Sequence, residues 1–211
     1  MIHWTLATNM RFALLDPPQR HSAILHSITH LLSSNPYVIV IALDFSKAFD
    51  TVRHAELFQK LTQLLPDEAY NWMVDFFSGH CYCTKYAGAT SESMGISASI
   101  IQGSAIGPVT YIVNAADLKK TVTDGNQMHK YADDTYIILP ATNSHTRETE
   151  LKNVEQWAQD SGPTATKDLK LNRAKSLEII FENNRRQIHT DLPPTLPENA
   201  RTTAIKCSAS Q

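Results

Sequence analysis

Val38-Ile39-Val40-Ile41-Ala42-Leu43 is a continuous, largely β-branched apolar run that closes on a carboxylate, Asp44. A run of this kind is how a strand covered on both faces reads, so the chain needs a sheet with other elements above and below it. Met128 to Leu139 is apolar and aromatic on both sides of Asp133-Asp134, the pattern of a tight hairpin with both carboxylates at its tip. Ser176 to Phe181 alternates, with Leu177, Ile179 and Phe181 on one face, as a half-buried strand does. Cys81 to Ala87 also alternates; Gly88 punctuates it and Ser93 to Ile96 could be its hairpin partner.

Helical periodicity fills the intervals. Ala23, Ile24, Ile28, Leu31 and Leu32 follow a break at Asp16-Pro17-Pro18, and Leu57, Leu61 and Leu64 recur up to Pro66. Asp67-Glu68 starts a helix carrying Tyr70, Met73, Phe76 and Phe77. Pro108 opens another through Ile112 and Val113 to about Leu118, and Leu151, Val154 and Trp157-Ala158 mark the last. Strands and helices are mixed without a regular βαβα rhythm, which argues for an α+β fold with a largely antiparallel sheet. Beyond residue 190, Pro193, Pro194 and Pro197 among polar residues predict an unstructured tail.

The 211 residues suit one domain, or one domain with fragments of a neighbour, and 42% apolar with 19% charged residues suits a globular body. No apolar stretch is long enough to span a membrane and the N-terminus lacks a secretory pattern, so neither a membrane nor a secreted protein is expected. A net charge of -2 gives no electrostatic reason to expect a polyanionic partner. Three cysteines fit a reduced compartment, and Cys81, Cys83 and Cys207 lack zinc spacing.

Two like charges at the tip of an apolar hairpin repel unless something cationic neutralises them, which makes a divalent ion a natural partner; a solvated turn is the plain alternative. Asp44 is a second anomaly, with Lys47 and Asp50 just beyond it, and a cap or turn role is its alternative. If its strand lies beside the hairpin in one sheet, Asp44 and Asp133 face each other across strand ends and can share magnesium ions. Three carboxylates and two ions roughly 3.5–4 Å apart suit phosphoryl or nucleotidyl transfer.

Four blocks then stand in order: Leu43-Asp44-Phe45-Ser46-Lys47-Ala48-Phe49-Asp50, Gln102-Gly103-Ser104-Ala105-Ile106-Gly107-Pro108, Tyr131-Ala132-Asp133-Asp134, and Leu171-Asn172-Arg173-Ala174-Lys175-Ser176. They resemble the successive palm motifs of reverse transcriptases, in the form used by non-LTR, LINE-type retrotransposons. The resemblance covers about residues 37–182. It implies a polymerase palm whose antiparallel sheet is covered by helices; against the family pattern, residues 1–36 read as partial fingers, a thumb is not expected, and 183–211 reads as a disordered tail.

The resemblance also implies roles. Asp44 and Asp133 would be the principal ligands of two Mg2+ ions, Asp134 a third carboxylate and the Phe45 carbonyl a further ligand. Phe49 would be the aromatic gate under the sugar of the incoming nucleotide, whose ring leaves no room for a 2′-hydroxyl. Gln102 and Gly103 would lie beside the incoming base and template, where glycine permits close backbone approach. Lys175 would protonate the leaving pyrophosphate or neutralise its charge. The plain alternatives are a core aromatic at Phe49, a loop before a helix at Gln102-Gly103, and a solvated lysine at 175.

Two departures from the family pattern stand out. Met10-Arg11-Phe12-Ala13 is at most a garbled form of a fingers motif, which leaves Arg11 as a candidate nucleotide contact, and Asp160 to Thr166 replaces a short Asn-rich link. The expected partners are an RNA or DNA template with primer and deoxynucleoside triphosphates, in the nucleus or cytoplasm, with no membrane and no obligate protein partner evident. Two functional readings stay open: an RNA-directed DNA polymerase palm, and a truncated, inactive retroelement remnant with at most weak nucleic-acid or protein binding.

Overall fold

The computed structural model describes residues 17–100, 104–118, 121–131, 134–159, 169–183 and 192–202. Its elements run in the order α1 (Pro17–Ser34), β1 (Tyr37–Leu43), β2 (Phe45–Ser46), α2 (His54–Leu61), α3 (Asp67–Phe77), β3 (Cys81–Tyr82), β4 (Lys85–Tyr86), β5 (Ala89–Thr90) and β6 (Met94–Gly95). Then come α4 (Gly107–Asn114), β7 (Gln127–Tyr131), β8 (Asp134–Pro140), a 3-10 turn (Ala141–Thr146), α5 (Arg147–Gln159), β9 (Lys170–Leu171), β10 (Leu177–Glu182) and β11 (Ala200–Arg201). The fold is α+β, as the mixed order of elements predicts.

Five strands form the main sheet in the order β11-β10-β1-β8-β7, with the apolar strand β1 at the centre. It pairs antiparallel with β10 from Tyr37↔Glu182 to Ala42↔Leu177, and with β8 from Val38↔Pro140 to Leu43↔Thr135. β7 pairs antiparallel with β8; β11 adds in parallel to β10. Alternation along β1 explains why no polar residue interrupts it. Tyr37, Ile39, Ile41 and Leu43 join Ile137 and Leu139 in one apolar layer with α2, α3, α4 and α5. Val38 and Val40 join Tyr136, Ile138 and Ile179 in a second layer closed by Ile24 and Ile28 of α1. Both faces of the strand are covered, as its composition requires.

Pro17-Pro18 opens α1 instead of breaking the chain ahead of it; proline is tolerated in the first helical turn, where its missing N–H has no partner to lose. The ribbon after α3 is two short ladders in series, β3 with β6 and β4 with β5. Its tip is the two-residue turn Ala87-Gly88, with φ of 48° and 83°; a tight hairpin of this hand needs positive φ at both central positions, which glycine supplies without strain.

Two expectations are corrected at the β10 edge. Of the tail 183–211, residues 192–202 are laid along the sheet as β11 and its approach, not left without structure. β10, expected to be half-buried, is covered on its second face as well, where Glu178 is fully buried. One physical cause accounts for both. The Glu178 carboxylate accepts from Arg147 Nη1 at 2.7 Å and Arg201 Nε at 2.9 Å, while the same two arginines donate to the carbonyls of Pro194 and Pro193. A buried charge needs such partners, and here they tie the Pro-rich segment down.

Candidate functional site

The last ladder pair between β1 and β8 is Leu43↔Thr135. Asp44 follows immediately on one strand and Asp134 begins the other, so both half-buried carboxylates sit at the same end of two adjacent central strands. The hairpin predicted around the acidic pair is present: Tyr131↔Asp134 is its final pair, which leaves a two-residue connection. Asp133, in that connection, lies outside the described residues, as do Gln102, Gly103 and Arg11.

Asp44 is held through its main chain. Its N–H donates to Ser176 Oγ at 3.2 Å, and its carbonyl accepts from Asn172 N at 2.8 Å. Phe45 then pairs with Leu171 and Ser46 with Lys170, so the strand continues past Asp44 into a second, two-stranded ladder. The turn from Asn172 to Ser176 is closed by Ser176 N and Oγ, both donating to Asn172 O at 2.9 Å. Lys175 is exposed on this turn, and Phe45 is buried edge-on to Trp157 with ring centroids 6.0 Å apart.

Beyond Ser46 the chain turns sharply. Lys47 has φ of 56°, a left-handed conformation costing a side-chain-bearing residue about 1 kcal/mol or more, and its carbonyl accepts from Thr51 N at 3.1 Å to close the turn. Phe49 lies within this turn, half-buried, with its ring centroid 5.2 Å from that of Tyr111 on α4. Its carbonyl accepts from Ile100 N at 2.9 Å, so Phe49 is packed against the core and tied to the segment entering α4. Past Asp44 in the chain, a cleft of about 870 Å³ is lined by Ser46, Lys47, Asp50, Thr51, Arg53, Ser97, Ala98 and Lys170. Three cations against one carboxylate favour an anion, and hydroxyl groups there can donate to one.

Two residues that organise the site stand in the fourth sequence block without a role assigned to them there. Arg173 grips α5 in bidentate fashion, with Nε and Nη2 to Glu155 at 2.6 and 2.8 Å, and Nη1 and Nη2 to Glu148 at 3.0 and 3.1 Å. The bonds to Glu155, then those to Glu148, raise its pKa above the ordinary arginine value, so the clamp stays charged. Glu148 and Glu155 are seven residues apart on one helical face, a spacing visible in sequence, but nothing there names Arg173 as their partner. Ser176, fully buried, gives no local signal at all.

Carboxylate and carbonyl oxygens suit a hard cation such as Mg2+, and Asp44 and Asp134 supply the former at one strand end. The donor chemistry therefore fits. Among the described residues, no group of three or more His, Cys, Asp or Glu that could hold a metal is present, and no helix is long and apolar enough to cross a membrane.

Residues 3–185 match the family described as reverse transcriptase (RNA-dependent DNA polymerase). The chain is 27% identical over 179 residues to the RNA-directed DNA polymerase from mobile element jockey of Drosophila melanogaster, covering 79% of this chain and 19% of that protein. It is 22% identical over 170 residues to the probable RNA-directed DNA polymerase from transposon X-element of the same species, covering 77% and 18%. The chain thus spans about a fifth of the length of these curated relatives. Among solved structures, it is similar to telomerase from Candida tropicalis in complex with a TWJ fragment of telomeric RNA, with a TM-score of 0.60 at 13% identity over 87% of this chain and 33% of that one. The apo telomerase truncated from its C-terminal domain gives 0.56 at 14% identity, over 86% and 40%. At these identities the likeness is one of fold.

Proposed function

Since the chain belongs to the reverse transcriptase (RNA-dependent DNA polymerase) family, we propose that residues 37–182 are the palm of an RNA-directed DNA polymerase of a non-LTR, LINE-type retrotransposon, performing nucleotidyl transfer. The observation that carries this reading is the β1–β8 register, which sets Asp44 and Asp134 at one end of two adjacent strands. The curated relatives, both described as polymerases of mobile elements, support the choice of element class.

Asp44, Asp133, Asp134 and the Phe45 carbonyl would hold two Mg2+ ions. When bound, such ions lower the pKa of an attacking hydroxyl and neutralise the departing pyrophosphate. The protein's own residues do the rest. The cleft lined by Lys47, Arg53 and Lys170, which begins two residues past Asp44, receives the triphosphate of a deoxynucleoside triphosphate. Phe49, fixed against Tyr111, excludes a ribose 2′-hydroxyl. Gln102 and Gly103 contact base and template, and Lys175 holds a proton for the leaving group. Template and primer bind as RNA or DNA strands.

Primer extension tests the reading: purified protein, an RNA template with annealed primer, Mg2+ and four deoxynucleotides, beside Asp44→Ala, Asp133→Ala and a no-metal control. Extension by the wild type alone is the expected result, with the aspartate variants reduced at least about 1,000-fold, as when an essential member of a catalytic constellation is removed. No extension by a wild-type protein that folds by circular dichroism would favour the inactive-remnant alternative and sink the claim that this chain catalyses by itself.

A further inference from the structure

One tight turn touches Asp44 from both sides. Ser176 Oγ accepts the Asp44 N–H at 3.2 Å and Asn172 N donates to the Asp44 carbonyl at 2.8 Å, across 132 residues of sequence in the first case. The serine hydroxyl in turn donates a hydrogen bond to Asn172 O at 2.9 Å, so it is satisfied in both directions and its orientation is fixed. Its side chain is fully buried, where leaving such a donor or acceptor unpaired carries the full desolvation penalty of the group. The turn itself is not free to drift, because Arg173 binds Glu148 and Glu155 on α5 through four hydrogen bonds, and α5 is seated in the core by Leu151, Val154 and Ala158. Lys175 lies between Arg173 and Ser176 on the same turn.

We infer that Arg173 and Ser176 are positioning residues: the Asn172–Ser176 turn, clamped to α5, fixes the main chain at Asp44 and with it the direction of the Asp44 carboxylate, and holds Lys175 in register with it. The inference rests on the proposed role of Asp44 in nucleotidyl transfer. Its physical basis is that β1 loses its pairing with both neighbours after Leu43. The ladders end at Ala42↔Leu177 and Leu43↔Thr135, so Asp44 has lost the sheet's restraint and the turn replaces it. A displacement of about 1 Å of a reacting group can cost on the order of 100-fold in rate, so such a grip has a functional consequence.

The test compares the wild type with Ser176→Ala, which removes only the hydroxyl, and with Glu148→Gln/Glu155→Gln, which keeps the hydroxyl and weakens the clamp. Amide hydrogen exchange is read first, without metal. Asp44 exchange is expected to rise about 10-fold or more in Ser176→Ala while the Ile39 and Ile41 amides hold their protection, as local opening requires. The double glutamine variant is expected to raise Asp44 exchange by a smaller factor. Binding of Mn2+, followed by electron paramagnetic resonance, is expected to weaken several-fold in both variants, and Ser176→Thr, which keeps the hydroxyl, to lie nearer the wild type. In primer extension, kcat should fall about 10-fold in Ser176→Ala with the KM for deoxynucleotide within a factor of about two. Asp44 exchange within about twofold of wild type in a folded Ser176→Ala variant would overturn the inference. Failure of the wild type to extend a primer counts against the polymerase reading alone, because the exchange measurement needs neither metal nor turnover.

Discussion

The Lys130 ammonium donates to the carbonyls of Ala115 and Leu118 at 3.1 and 3.2 Å, at the end of α4, while Lys60 donates to Asn114 O and pairs with Asp117 at 3.1 Å. Burial lowers the Lys130 pKa to about 8; Asp117 acts to raise it and Lys60 to lower it further. In the unfolded chain the value is 10.5, so between about pH 8 and 10.5 the unfolded state binds more protons and stability rises with pH. That gain is lost as the pH falls through about 8. Against Lys130→Met, which does not titrate, the wild type should gain about 2 kcal/mol between pH 7.5 and 10 in urea unfolding; a difference independent of pH would mean that burial does not press on this charge. Residues such as Asp44 and Asp134 were legible because a carboxylate closing an apolar run is an anomaly visible within a few positions. For Ser176 and Arg173 the block was legible but the positioning role was not. Their partners lie 132, 25 and 18 residues away, and a serine or an arginine in a polar turn is unremarkable until the fold brings those partners up.

Among the elements, β10 and the segment 192–202 depend on one buried charge. Glu178 is fully buried between Arg147, itself nearly buried, and Arg201, which is 29% exposed. Replacing Glu178 by Gln leaves the Arg147 guanidinium buried without its counter-charge, and such a break costs about 3 kcal/mol. Arg201→Ala, at the wetter side, should cost about 1 kcal/mol. Urea unfolding measures both, and exchange of the Thr202 amide, which donates to Glu178 O at 2.9 Å, reports whether the strand leaves the sheet. Since removing Glu178 breaks both ion pairs and removing Arg201 only one, equal costs for the two variants would mean that the buried Arg147 pair adds nothing of its own. The strand pattern of β10 was readable because Leu177, Ile179 and Phe181 alternate, but Glu178 looked like a solvent-facing residue. Only the arrival of Arg147 and Arg201 makes its burial tolerable, and a proline-rich segment gives no hydrophobic period to announce that it docks. α4 shows the opposite limit: its start at Pro108 was legible, whereas its end at Asn114 came four residues before the expected Leu118, in a turn capped by lysines from α2 and β7.

Across the whole molecule, one sheet carries two apolar layers that do not share side chains. Ile28 of α1 is 4% exposed in the layer with Val38, Val40 and Ile138, and Leu57 of α2 is fully buried in the layer with Ile39, Ile41 and Leu139. The two-faced cover was legible from β1 alone, since no residue of that strand could face water; which helix lies on which face was not, because that depends on chain direction and register set by residues far apart. If the central strand couples the layers into one cooperative body, loss of either layer unfolds both. Ile28→Ala and Leu57→Ala should each cost about 2–4 kcal/mol, the usual range for removing a large buried aliphatic side chain. The double variant should cost their sum to within about 0.5 kcal/mol, because the sites share no contact partner. Unfolding followed by far-ultraviolet circular dichroism and by tryptophan fluorescence should coincide in all four proteins. Trp157 on α5 lies against the layer that holds Leu57, not the one closed by α1, so a fluorescence transition that survives Ile28→Ala while the dichroism shifts would separate α1 from the rest. The strand ends that hold Asp44 and Asp134 belong to two of the strands that both layers share, so the same coincidence would mean that the candidate site keeps its geometry only while both faces of the sheet are closed.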